Sequence, residues 1–158
     1  MTKKSIQINF RELAFTDLNA GHQALVTAAV EAMEHAHAPY SRFRVGCAIS
    51  LQGGQVITGN NQENAAYPSG LCAERVAIFA AKSQHQDPIA TLVVVAKNHQ
   101  QQLANAFSCG SCRQVIMEYA SMQKTPITMI FRNADDRFIV LDDAKELLPF
   151  HFNSDSLQ

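Results

Sequence analysis

No stretch of this sequence approaches the ~20 consecutive apolar residues that a membrane-crossing helix requires. There is no run of basic residues longer than the Lys3-Lys4 pair, and 13 basic against 14 acidic side chains leave a net charge of −1. Composition thus gives no electrostatic reason to expect a nucleic-acid or membrane partner. The N-terminus, MTKKSIQINFRELAF, lacks the apolar core of a secretory signal, so a cytoplasmic location is expected. Repeats, low-complexity tracts and linkers are also missing. Residues 1–158 therefore read as a single domain, with 1–15 as an N-terminal arm. Cysteine is scarce: the four present read as thiols, metal ligands or catalytic groups rather than as disulfides.

What is present is an ordinary globular balance, 47% hydrophobic and 17% charged. Ile6, Ile8 and Phe10 alternate as in a short strand. Asp17 is placed to cap a helix running to about His35, with Leu25, Val26, Ala29, Val30 and Met33 on one face. The helix breaks at Ala38-Pro39-Tyr40-Ser41. Residues 43–51 and 55–60 read as strands joined through Gly53-Gly54. After a loop over 61–71, helices are expected from Cys72 to about Gln84 and from Cys109 to about Ala120. Thr91–Lys97 is an apolar run suited to a strand buried on both faces, and Ile127–Arg132 and Arg137–Leu141 are further strands. A short helix over 142–148 ends at Pro149.

Two connections set the architecture. Strand, helix, strand over 91–132 forms a βαβ unit, so its strands should run parallel. Four residues, 133–136, then separate the last two strands, too few for a parallel crossover, so that pair should be antiparallel. The expected fold is α/β: a mixed five-stranded sheet, antiparallel at its last strand, with helices on its faces.

The chemistry-bearing residues are Cys72, in Leu-Cys-Ala-Glu-Arg, and the pair in Cys109-Gly-Ser-Cys112-Arg113. Each group opens an expected helix, where free N–H groups and the positive dipole end favour thiolates. Two such helices side by side would converge three sulfurs on one Zn2+, leaving the fourth tetrahedral position open as in catalytic zinc sites. Zinc in such a site lowers the pKa of water toward ~7. Glu74, two residues beyond Cys72, would reach that water without binding the metal and carry its proton. This matches the three-cysteine zinc deaminase arrangement with a non-ligand glutamate. Three thiolates on one Zn2+ leave a net negative charge, which Arg75 and Arg113 would offset; each arginine also fits an ordinary surface ion pair.

Other readings of the cysteines stay open on these residues. Cys109 and Cys112 could form a redox pair, although that leaves Cys72 and Glu74 without a role and the preceding LANAF segment is a poor buried strand. A closed structural zinc would need a fourth ligand, while Cys47 reads as a small core residue. The thiols could also simply be buried. The six histidines show no paired helical spacing.

Between about Leu18 and Phe152 the sequence resembles the cytidine deaminase family of the homotetrameric three-cysteine type, with its three-layer α/β/α fold. The matching motifs are Ala38-Pro-Tyr-Ser-Arg-Phe-Arg-Val-Gly46, Gly59-Asn-Asn-Gln-Glu-Asn-Ala-Ala-Tyr67, Cys72-Ala-Glu-Arg75, Cys109-Gly-Ser-Cys-Arg-Gln114 and Glu146-Leu-Leu-Pro149. The resemblance implies hydrolysis of cytidine or deoxycytidine to the uracil nucleoside and ammonia, one Zn2+ per subunit, and a homotetramer. It implies that Asn61 and Glu63 bind the ribose 3′-hydroxyl, that Phe43 lines the base pocket, and that backbone groups at Ala73 and Cys109 hold the pyrimidine edge. Phe43 equally fits a core position, and Asn61 and Glu63 by themselves fit a solvated turn.

Phe152 corresponds to an aromatic that stacks on the base in a neighbouring subunit. Here Phe150 precedes it where the family has a small residue, so Phe150 competes for that role. Ser108 stands where the family has a proline, and is expected to loosen the loop while leaving the ligands intact. A blasticidin S deaminase and a polynucleotide deaminase are the rival enzymes. The Asn-x-Glu-Asn motif disfavours the first, and neutral charge with the antiparallel hairpin disfavours the second.

Overall fold

In a computed structural model, which describes residues 1–157 (Gln158 lies outside them), the most deeply buried strand is β4, Ile89–Lys97. Its apolar run alternates between two faces, and both are covered. Leu92, Val94 and Ala96 belong to one core cluster, Val93 and Val95 to the other. Around it lie β2 (Arg44–Leu51), β3 (Val56–Asn60), β5 (Thr128–Arg132), β6 (Phe138–Leu141) and β1 (Arg11–Leu13). The order across the sheet is β1-β6-β5-β4-β2-β3. The β4–β5 pair is parallel and the others are antiparallel, as the two connection lengths require.

Three helices complete a three-layer sandwich. Helix α1 (Ala20–Glu34) buries Leu25, Val26, Ala29 and Met33 against Ala48, Val93, Val95, Ile130 and Val140. Helices α2 (Ala73–Gln84) and α3 (Gly110–Gln123) share the opposite face, packing Ala77, Ile78, Ile116 and Met117 on Ile49, Leu92, Val94 and Phe131. Two glycines set how closely helices approach the sheet. A Cβ on Gly46 would lie 2.0 Å from the Ala29 carbonyl oxygen, and one on Gly59 would lie 2.5 Å from the Ala77 nitrogen. Gly59 therefore lets α2 lie directly on β3, which brings the start of that helix to the sheet.

The structure corrects four expectations. The sheet has six strands rather than five, because Arg11–Leu13 pairs with the outer edge of β6. A three-residue edge strand carries no apolar alternation, so periodicity does not reveal it. Ile6, Ile8 and Phe10 lie before it, outside any strand, and are exposed. The α1 cap is Asn19, whose side-chain Oδ1 accepts the His22 amide at 2.8 Å; Asp17 instead closes a 3-10 turn over Phe15–Asp17, its carboxylate accepting the Ala14 amide at 3.2 Å. The last helix shrinks to a 3-10 turn, Ala144–Leu147. Among the described residues no helix is long and apolar enough to cross a membrane.

Candidate metal centre

Cys72 is the N-cap of α2, Cys109 is the N-cap of α3, and Cys112 lies in the first turn of α3. Both helices lie on one sheet face, and their N-termini meet. The three sulfurs lie within 4.8 Å of one another, with Cys72 and Cys109 Sγ 3.9 Å apart. Ligands about 2.3 Å from a tetrahedral zinc are separated by about 3.8 Å, so the three thiols fit one ion. All four cysteines are free; Cys47 is fully buried in the core and is not one of the three.

Cys72 and Cys112 hold their protons unequally. The Cys112 thiol, hydrogen-bonded to Cys72, draws the Cys72 pKa down to about 5 against the opposing effect of burial, with help from Arg75 and Cys109. Cys112, as the donor, is pushed up. The Arg75 guanidinium donates to Cys72 Sγ at 3.6 Å, so a positive charge touches the cluster. Its Nε is buried and finds no partner among the described residues. Arg113 is placed differently: it donates to the backbone carbonyls of Ser108 (2.9 Å) and Leu147 (3.1 Å), clasping the loop before α3 to the C-terminal turn. Ser108 is buried, and its backbone carbonyl is held by that contact.

Glu74 is 4% exposed, one position into α2 from Ala73, which is wholly buried. Burial raises the Glu74 pKa, and the negative charge favoured on Cys72 adds to it, while the Ser108 hydroxyl and the Cys112 thiol act the other way. A carboxyl group held toward its protonated form beside a metal cluster is suited to taking and returning protons.

A cavity of about 680 Å3 opens on this cluster. Cys72, Glu74, Arg75 and Cys109 line one part of it, and Phe43, Asn61 and Glu63 also line it. Asn61 is largely committed to the backbone: its Oδ1 accepts the Val45 amide at 2.8 Å and its Nδ2 donates to the Phe43 carbonyl at 2.9 Å. One N–H and one lone pair remain free for a ligand. Glu63 accepts the amides of Tyr40 (2.9 Å) and Ser41 (3.2 Å) and the Ser41 hydroxyl. Burial opposes ionisation of Glu63, but these hydrogen bonds outweigh it and hold the pKa below its ordinary value. Neither Phe150 nor Phe152 lines the cavity; both are exposed, and the Phe152 carbonyl accepts from Gln114 of α3 at 2.8 Å. Sequence reasoning missed Phe107, which lines the cavity from the LANAF segment. The one available signal was its position two residues before Cys109.

The model of the cytidine and deoxycytidylate deaminase zinc-binding region matches residues 20–129, which include all three cysteines and Glu74. The chain belongs to this deaminase family. A curated cytidine deaminase of Halalkalibacterium halodurans is 43% identical over 96 residues, 61% of this chain and 70% of that one. One from Mycoplasma pneumoniae is 35% identical over 124 residues, 78% and 88% of the two chains. Among solved structures, cytidine deaminase from Burkholderia pseudomallei superposes with a TM-score of 0.72 at 38% identity, covering 83% of this chain and 98% of that one. Mycobacterium tuberculosis cytidine deaminase does so with a TM-score of 0.66 at 29% identity, covering 86% and 98%. As a member of this zinc-binding deaminase family, the chain uses zinc, for which Cys72, Cys109 and Cys112 form a fitting donor set.

Proposed function

We propose that this protein hydrolyses cytidine and deoxycytidine to uridine and deoxyuridine with release of ammonia, as a step of pyrimidine salvage. The observation that carries the reading is one cavity lined by Cys72 and Cys109 of the three-thiol cluster, by the buried carboxyl of Glu74, and by the sugar-directed pair Asn61 and Glu63. The curated relatives named cytidine deaminases support the same substrate.

Cys72, Cys109 and Cys112 would hold one zinc per subunit, and that ion would supply an acidified water beside Glu74. Glu74 takes one proton from the water that attacks C4 and delivers it to ring N3. It then passes the second to the amino group, which leaves as ammonia while the water oxygen stays on C4. Arg75 offsets the negative charge of the thiolates at Cys72, and Arg113 does so from further away while clasping the loop. Phe43 lines the base pocket, backbone groups at Ala73 and Cys109 hold the pyrimidine edge, and Asn61 with Glu63 binds the 3′-hydroxyl through their remaining hydrogen-bonding capacity.

The assembly is a homotetramer in which Phe152 enters a neighbour's site. The exposure of Phe152 and its absence from its own cavity support this reading. Residues 1–158 act as a single domain with its N-terminal arm, in the cytoplasm, where four free thiols are at home. Neither nucleic acid nor a membrane is a partner.

Ultraviolet absorbance assays on cytidine, deoxycytidine, cytosine and blasticidin S test the substrate. Turnover of both nucleosides with little on the free base or the antibiotic is expected. Absence of turnover on both nucleosides by zinc-loaded protein would overturn the reading.

A further inference from the structure

Four aromatic residues line the cavity: Tyr40, Phe43, Tyr67 and Phe107. They are not equally free to receive a planar ligand. Tyr40 and Tyr67 pair with each other at 6.3 Å between ring centroids, and Phe43 packs partly into the core. Phe107 is different. Its ring meets that of buried Phe131 edge-to-face, at 5.6 Å and 69°, yet the residue keeps 51% of its surface exposed.

The backbone on both sides of Phe107 is tied down. The Ala106 amide donates to the Arg132 carbonyl at 3.3 Å, and the Ser108 carbonyl accepts Arg113 Nε at 2.9 Å. Two residues further back, the Ala104 amide donates to the Ala96 carbonyl of β4 at 3.1 Å. A large apolar side chain exposed from such a fixed segment, two residues before Cys109, is preorganised and loses little freedom when a ligand covers it. An aromatic with a backed ring and half its surface free is what a nucleobase uses for stacking.

We propose that Phe107 is a substrate-binding residue, the wall of the cavity beside Cys109 against which the pyrimidine packs within its own subunit. This rests on the nucleoside reading above, but it assigns the base a contact that needs no neighbouring chain. Because C4 must reach the metal cluster, the wall nearest Cys109 meets the reacting end of the ring. Phe107 therefore governs affinity for the base without moving protons.

The test compares zinc-loaded wild type, Phe107→Ala and Phe107→Tyr. It measures steady-state kinetics on cytidine, calorimetric binding of uridine, zinc content and molecular mass in solution. Phe107→Ala should raise KM for cytidine and weaken uridine binding by about tenfold, with kcat within about twofold and zinc and mass unchanged. Phe107→Tyr should restore wild-type KM. Unchanged KM and uridine affinity in Phe107→Ala would overturn the proposal. So would a change confined to zinc content or to assembly mass, which would assign Phe107 to holding α3 or to a subunit contact. If wild type binds uridine but turns over neither nucleoside, the deaminase reading fails while the uridine affinities still decide the role of Phe107. If wild type binds neither nucleoside, both readings fall.

Discussion

Cys72 and Cys109 stand 37 residues apart in the chain, yet their sulfurs lie 3.9 Å from each other. Each is the N-cap of a helix, and α2 and α3 lie on the same face of the sheet with their N-termini together. The packing that brings the two helix starts together therefore also creates the metal site.

Replacing any one of Cys72, Cys109 or Cys112 by Ser should therefore reduce zinc from one equivalent per subunit to near zero in metal analysis of purified protein. Activity should be lost in parallel. Cys47→Ala provides the control, since that buried sulfur is outside the cluster and its loss should leave zinc in place. A cluster variant that retains full zinc would exclude that cysteine as a ligand.

Glu74→Gln keeps the shape of the buried side chain while removing its ability to carry a proton. The expected result is a fall in kcat of at least about a hundredfold with zinc still stoichiometric. Full turnover in the zinc-loaded variant would end the proton-carrying role proposed for Glu74.

The C-terminal aromatics give opposite expectations. Gln114 holds the Phe152 carbonyl at 2.8 Å, whereas Phe150 is 87% exposed. Phe152→Ala should raise KM for cytidine about tenfold and Phe150→Ala should leave it unchanged. The reverse pattern in the same kinetic assay would transfer the trans-acting role to Phe150.

Close helix–sheet contact at Gly46 makes a stability prediction. Its added Cβ would meet the Ala29 oxygen at 2.0 Å and the Met33 nitrogen at 2.7 Å, both backbone atoms of α1. Gly46→Ala should cost about 3 kcal/mol or more, lowering Tm by roughly 6 °C or more in thermal unfolding. Gly21→Ala, where the nearest atom is Asn19 Oδ1 at 3.4 Å, should be neutral or stabilising. Equal Tm values for the two variants would contradict the packing account.

Local pattern in the sequence accounts for much of this molecule. The apolar run of β4, the short link between β5 and β6, and the helix-opening positions of Cys72 and Cys109 each follow from neighbours a few residues away. So does the parallel β4–β5 pair, because its connection is long enough for a crossover helix. Tertiary structure alone decided which groups spend their hydrogen bonds where. Asn61 braces β2, Arg113 clasps two carbonyls instead of the thiols, and Asn19 rather than Asp17 caps α1. It also decided that Arg11–Leu13 extends the sheet and that Phe107 faces the cavity. Periodicity reports which side of an element is apolar, a property of consecutive residues. Edge pairing and side-chain partnership depend on where distant segments meet, and that is set only when the three layers pack.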